Sequence, residues 1–136
     1  MEDIPLSDAQ MRTGGCLCGS VRYQVVDRDQ PAILCHCSHC RKSSGSAFST
    51  NLMVSGDDIR FDGATAGYED VGDSGNKVLR HFCPQCGSSL YSLLASGTIA
   101  IKAGSLDDPS FIRPRAQYWT GQRSDWLDAI GQLPAL

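Results

Sequence analysis

Seven cysteines in three tight clusters are the residues of this chain best suited to chemistry. Cys16-x-Cys18 stands in GGCLCGSVRY, Cys35-x-Cys37-x-x-Cys40 in LCHCSHCRKSSGSAF, and Cys83-x-x-Cys86 in HFCPQCGSSLY. The last is a knuckle. A C-x-x-C-G turn offers two thiolates to one metal, and its glycine relieves the backbone where amides point at sulfur. A tetrahedral zinc needs a second pair, which Cys16 and Cys18 supply from 65 positions upstream. The spacing therefore predicts a closed structural zinc site with four cysteine ligands, Cys16, Cys18, Cys83 and Cys86. The bland alternative makes Cys16 and Cys18 small buried hydrophobes. Their spacing beside glycines, matched to a downstream knuckle, favours the metal.

Cys35, Cys37 and Cys40 remain. Catalytic zinc typically keeps three protein ligands and leaves one position for water or substrate. A three-cysteine site with a vacancy is thiophilic, and an incoming thiol loses its proton on binding. His36 and His39 lie within the same six residues and are alternative fourth ligands. Alternate residues of C-x-C share one side, so His36 points away from the sulfurs. His39 stays open as the fourth ligand of a closed site. A third reading has no stable metal at the triplet.

The elements that must position these cysteines read mainly as strands. Segments 20–26, 47–54, 58–61, 77–82, 88–94 and 98–104 are short, β-branched or aromatic-rich, and bounded by Gly, Asp or Ser. Segment 111–119 reads as a further strand, at an edge or interrupted because Pro114 lacks a donor. Helical period is scarce. Residues 37–44 make one or two turns, and 124–133 make a short helix with Ser124 as N-cap and Trp126, Leu127 and Ile130 on one side. The fold class expected is mainly β with short helices.

At 136 residues the chain is of single-domain size. Apolar residues make up 41% and charged residues 20%, which suits a folded globular protein. A net charge of -3 with dispersed basic residues gives no general affinity for nucleic acid or anionic membrane. No apolar run approaches the roughly 18 residues that span a bilayer. The acidic N-terminus MEDIPLSDAQMRTGG has no signal-peptide core, and Met11 would serve equally as a start. Residues 1–11 are expected to form a flexible tail, 12–136 one domain, and the location to be cytoplasmic. Reduced thiols there bind metal or do chemistry rather than form disulfides.

These motifs, in this order, make the chain similar to the glutathione-dependent formaldehyde-activating enzyme family, also called the centromere protein V/GFA family. The likeness rests on GGCLCGSVRY, CHCSHCRKSSGSAF, HFCPQCGSSLY and the closing Trp and Leu-Pro, spanning roughly 13–134. It implies a β-tent fold of the Mss-four-like type. It also implies structural zinc at Cys16, Cys18, Cys83 and Cys86, and catalytic zinc at Cys35, Cys37 and Cys40. The implied activity is a carbon–sulfur lyase that joins glutathione and formaldehyde as S-hydroxymethylglutathione. A type B methionine sulfoxide reductase shares a β-tent and a zinc, but it needs a late reducing cysteine, and none follows Cys86. A zinc-stabilised binding module without chemistry is the competing reading, as is a lyase on a different thiol or aldehyde. A purely structural domain gains little from a second, incomplete metal site.

Glutathione brings two carboxylates, which call for cations or amides. Arg41, Lys42 and Ser44 follow the triplet directly and are the candidate substrate contacts. Arg113, Arg115 and Arg123 are more distant candidates. Phe48, Tyr91, Trp119 and Trp126 are candidates to line a pocket, with core packing the expectation for most of them.

Overall fold

The computed structural model describes residues 10–136. Among the described residues ten strands form two sheets. The first is three-stranded and antiparallel, with β1 (Gln10–Gly15), β2 (Arg22–Asp27) and β5 (Ile59–Asp62) in the order β1-β2-β5. The second has seven strands: β3 (Ala32–Cys35), β4 (Ser49–Val54), β6 (Ala66–Val71), β7 (Lys77–Phe82), β8 (Ser89–Leu94), β9 (Ile99–Lys102) and β10 (Pro114–Tyr118). Their order is β10-β3-β4-β9-β8-β7-β6, and β10 with β3 is the parallel pair. One α-helix, α1 (Ser38–Ser44), and several 3-10 turns complete a mainly-β architecture with short helices. Among the described residues no helix is long and apolar enough to cross a membrane.

Strand pleating sorts the large sheet into two faces. Leu52 and Val54 of β4 and Ile101 of β9 turn toward the first sheet. There they pack with Tyr23, Val25, Ile59 and Leu106 in one core. The opposite face carries Asn51, Met53, Ala100 and Lys102, with Ser92 of β8 and Arg80 of β7 in register beside Ala100. Core packing is tight enough to fix one residue type. A Cβ on Gly14 would stand 2.3 Å from the Tyr23 hydroxyl oxygen, which bonds the Ser105 hydroxyl at 2.7 Å.

Each expected strand is present: 77–82 has the expected bounds, and the others shift by one to three residues at one or both ends. Three strands were not expected. β1 (QMRTGG) lacks β-branched bulk, β3 (AILC) runs into the cysteine triplet, and β6 (AGYEDV) is a polar sheet edge. The expected helix over 124–133 is instead a 3-10 run at Asp125–Gln132 whose Ser124 makes no side-chain cap. Trp126 and Ile130 are exposed rather than packed on one side. Of the expected N-terminal tail, residues 1–9 lie outside the described residues, and Gln10 and Met11 begin β1.

Candidate functional site

Hairpin turns from the two sheets meet at the first cysteine cluster. Cys16 and Cys18 sit between β1 and β2, and Cys83 and Cys86 between β7 and β8. Their four sulfurs lie within 4.8 Å of one another. A tetrahedral zinc with bonds of about 2.3 Å spaces its sulfurs by about 3.8 Å. The Cys16–Cys18 and Cys18–Cys83 separations are 3.6 and 3.8 Å. Amides point at sulfur as thiolates require: Val21 N–H donates to Cys16 Sγ at 3.3 Å, and Gln85 and Cys86 N–H to Cys83 Sγ at 3.4 Å each. Gly87 takes the left-handed φ of 77° that closes the knuckle. The Ser88 hydroxyl, then its amide and that of Cys18, pull the Cys86 thiol down to about 5. Ser88 Oγ also accepts the Leu17 N–H at 3.0 Å, which laces the two turns together. These donors fit a tetrahedral thiolate metal.

Cys35 ends β3, and Cys37 and Cys40 start α1. Cys37 is the N-cap, its sulfur accepting the Cys40 N–H at 3.3 Å, and Gly45 closes the helix with a left-handed φ of 69°. The three sulfurs form a second group within 4.8 Å, with Cys35 and Cys37 3.5 Å apart. No fourth His, Cys, Asp or Glu among the described residues joins them. Both histidines are engaged elsewhere. His36 is buried, bonds Gln117 Oε1 through Nε2 at 2.9 Å and packs on Phe48. His39 faces Asp70 at 2.9 Å through Nδ1 and Asp73 at 3.2 Å through Nε2. The triplet fits a metal held by three thiolates.

A cavity of about 160 Å³ opens on this triplet over the polar face of the large sheet. Lys102 lies in it, part-buried, and donates to Asn51 Oδ1 at 2.8 Å. Among the described residues no carboxylate pairs with it. Burial lowers the Lys102 ammonium to about 8, against the pull of the Cys40 thiolate. Cys40 is itself brought to about 4, chiefly by its hydrogen bond with Cys35, against burial, with Ser49, Cys37 and the Lys102 charge assisting. The same shared bond, with burial, pushes Cys35 up. Zinc with three thiolates carries a net charge of about -1, and Lys102 is placed to balance it.

The C-terminal segment straps over this site. Tyr118 O accepts the His36 N–H at 3.1 Å, and Gln122 Oε1 accepts the Ser38 N–H at 2.9 Å. Between them Trp119 holds a left-handed φ of 57° and walls the cavity. That conformation is unfavourable for a bulky residue, and such strain gathers at working sites.

A groove of about 540 Å³ adjoins the cavity, sharing His39 and Arg80 with it and lined also by Lys42 and Asp70. Arg80 Nε donates to Asp70 Oδ2 at 3.0 Å. Burial would raise Asp70, but hydrogen bonds from His39 and Arg80 outweigh it and hold the carboxyl below its ordinary value. Asp70→Ala leaves the part-buried Arg80 guanidinium without its carboxylate and His39 with Asp73 alone. It should cost about 2 kcal/mol, read as a lower urea midpoint with unchanged slope.

Of the substrate contacts expected from sequence, Lys42 lines this groove, Ser44 lines a separate groove near Cys16 and Cys18, and Arg41 lies near Trp126. Arg115 and Arg123 are paired with Asp29 and Asp128, and Arg113 bonds the Ser110 and Ile112 carbonyls. Tyr91 stacks in the interior between Phe61 and His81. Lys102, Arg80, Asp70 and Ser92 were not foreseen. The one sequence signal was a lysine ending the apolar strand TIAIK.

Three comparisons bear on this site. The family described as glutathione-dependent formaldehyde-activating enzyme matches residues 11–122. A Halomonas elongata protein named "Putative glutathione-dependent formaldehyde-activating enzyme" is 36% identical over 83 residues, 57% of this chain and 53% of its own length. The chain thus spans about half of that relative. A crystal structure of a Rhodobacter sphaeroides protein superposes with a TM-score of 0.59 at 21% identity, over 77% of this chain and 98% of that one. That likeness concerns the fold.

Proposed function

Because the chain belongs to the glutathione-dependent formaldehyde-activating enzyme family, we propose that it is a zinc-dependent carbon–sulfur lyase that adds a small thiol, glutathione, to an aldehyde of the formaldehyde type. The observation that supports this best is the second sulfur group. Three convergent thiols, with no fourth protein donor among the described residues, open onto a cavity that also holds a part-buried lysine.

Cys16, Cys18, Cys83 and Cys86 would hold a structural zinc, and Cys35, Cys37 and Cys40 the second ion. Zinc so held supplies a thiophilic position that stabilises a thiol as its thiolate. The chain's own residues do the rest. Lys102 offsets the negative charge of the triplet. Trp119 walls the cavity, and the strap from Gln117 to Gln122 holds the loop of Cys35–Cys40 in place. Confinement of thiol and carbonyl in one cavity supplies proximity, the main gain available for a reaction already easy in water. The adjoining groove is large enough for the tripeptide body. Of Arg41, Lys42 and Ser44, Lys42 is best placed for a glutathione carboxylate. We place the protein in the cytoplasm, where reducing conditions keep such thiols free.

A non-catalytic zinc module is the competing reading, and ligand binding separates the two. Calorimetry should show glutathione binding in the micromolar to millimolar range with proton release, since the thiol arrives protonated. S-methylglutathione, a thioether, should bind much more weakly. Equal binding of the two would remove the thiol-acceptor role.

A further inference from the structure

The cavity beside the triplet is larger and more apolar than formaldehyde requires. Formaldehyde has two heavy atoms, close to one water molecule at about 30 Å³. The cavity measures about 160 Å³, and a cavity of about 150 Å³ holds a molecule the size of benzene. Aliphatic side chains border it on two sides: Ile33 and Met53 from β3 and β4, and Val78 and Leu94 from the paired strands β7 and β8. Val78 and Leu94 pair across β7 and β8, and Leu94 lies two residues along β8 from Ser92 on the same face, so the two form one aliphatic patch that a one-carbon substrate would leave empty.

One polar group in it lacks a partner. Ser92 borders the cavity, is 1% exposed, and its hydroxyl has no hydrogen-bond partner among the described residues. Buried hydroxyls are nearly always bonded, and an orphan marks a place where something is missing. Lys102 borders the same space with one of its three donors given to Asn51. The register Lys102↔Asn51 and Ala100↔Ser92 places both donors on the one sheet face. A hydroxyl and an ammonium that face a cavity with aliphatic walls suit one oxygen atom attached to a short carbon chain.

We propose that this cavity is an aldehyde subsite in which Ser92 and Lys102 hydrogen-bond the carbonyl oxygen while Val78 and Leu94 hold an alkyl chain, so that the preferred aldehyde is longer than formaldehyde. The proposal rests on the thiol–aldehyde reading above and names its second substrate. The thiol sulfur at the triplet takes part of the same volume, and a chain of about three carbons fits beside it. The reaction balances as an addition. The thiol sulfur bonds the carbonyl carbon, the carbonyl π bond gives its pair to oxygen, and the proton lost from sulfur ends on that oxygen. No oxidant or reductant enters. Ser92 and Lys102 act as hydrogen-bond donors to the oxygen as it gains charge.

The test has a binding arm and a rate arm, both on the zinc-loaded full chain. Butanamide copies the oxygen and the three-carbon chain of butanal without its reactivity. Its NMR titration should shift signals of Ser92, Val78 and Leu94, and Ser92→Ala and Val78→Phe should abolish the shifts. In the rate arm, exchange with glutathione should be faster for butanal than for formaldehyde. Val78→Phe fills the aliphatic end and should lower the butanal-to-formaldehyde ratio by about tenfold or more. Glutathione affinity should not change in either variant. No butanamide shifts at these residues, or a wild-type preference for formaldehyde that Val78→Phe leaves unaltered, overturns the subsite. No acceleration of any aldehyde instead overturns the thiol–aldehyde reading, and the butanamide titration then decides the subsite by itself.

Discussion

Replacing Cys83 with serine is expected to yield insoluble protein, or protein without a cooperative melting transition. Cys83 has no exposed surface, and its sulfur accepts two amide hydrogen bonds at the point where the two sheets meet. The core between the sheets is small and the contacts across it are long-range, so the metal clasp supplies much of the stability. Structural zinc contributes about 10–16 kcal/mol in small peptides, as large as the whole stability of a typical domain at about 5–15 kcal/mol. A serine hydroxyl stays protonated at neutral pH and does not replace a thiolate ligand. Cys16→Ser should behave alike, because Cys16 is also buried in the same cluster with Val21 and Leu90. Zinc content and circular dichroism on heating check this. An unchanged melting curve in either variant would refute the four-cysteine assignment.

Cys37→Ala should give the opposite pattern. The fold should survive, one zinc equivalent per chain should be lost, and thiol-dependent activity should vanish. The triplet lies at the edge of α1 above the polar face of the sheet, away from the core between the sheets. The structural cost is the thiol that caps α1, about 1 kcal/mol. The functional cost is complete, since two thiolates do not make the site. If Cys37→Ala unfolds as Cys83→Ser does, the triplet is structural and the enzyme reading loses its basis.

The two sulfur groups were legible in the sequence because short spacing fixes local geometry. C-x-x-C-G is a turn whatever surrounds it, and C-x-C-x-x-C turns from strand into helix within six residues. The division into four and three followed from counting, and the folded chain brings the sulfurs together in those two groups. The cavity was not legible. Lys102, Ser92 and Arg80 meet because β9, β8 and β7 pair in register, and Asn51 joins from β4. Nothing local in TIAIK or SSLYSLL says which strand lies alongside. The missed strands follow the same physics. β6 reads as acidic and glycine-containing, and it pairs at a sheet edge where β7 supplies the hydrophobic partner. β1 becomes a strand because the hairpin with β2 packs Gly14 against Tyr23. Trp119, a pocket candidate from sequence, does border the cavity, half exposed rather than in the core, but its left-handed backbone carries no sequence signal.

The central claim is that Cys35, Cys37 and Cys40 form a thiol-accepting centre that speeds the joining of a thiol and an aldehyde. NMR exchange spectroscopy on glutathione with formaldehyde, and with butanal in parallel, measures that directly through interconversion of free and adducted glutathione. The wild-type chain should accelerate the interconversion well above the uncatalysed rate, and the folded Cys37→Ala chain should return it to that rate. Equal rates with wild type, with Cys37→Ala and with no protein would contradict the account.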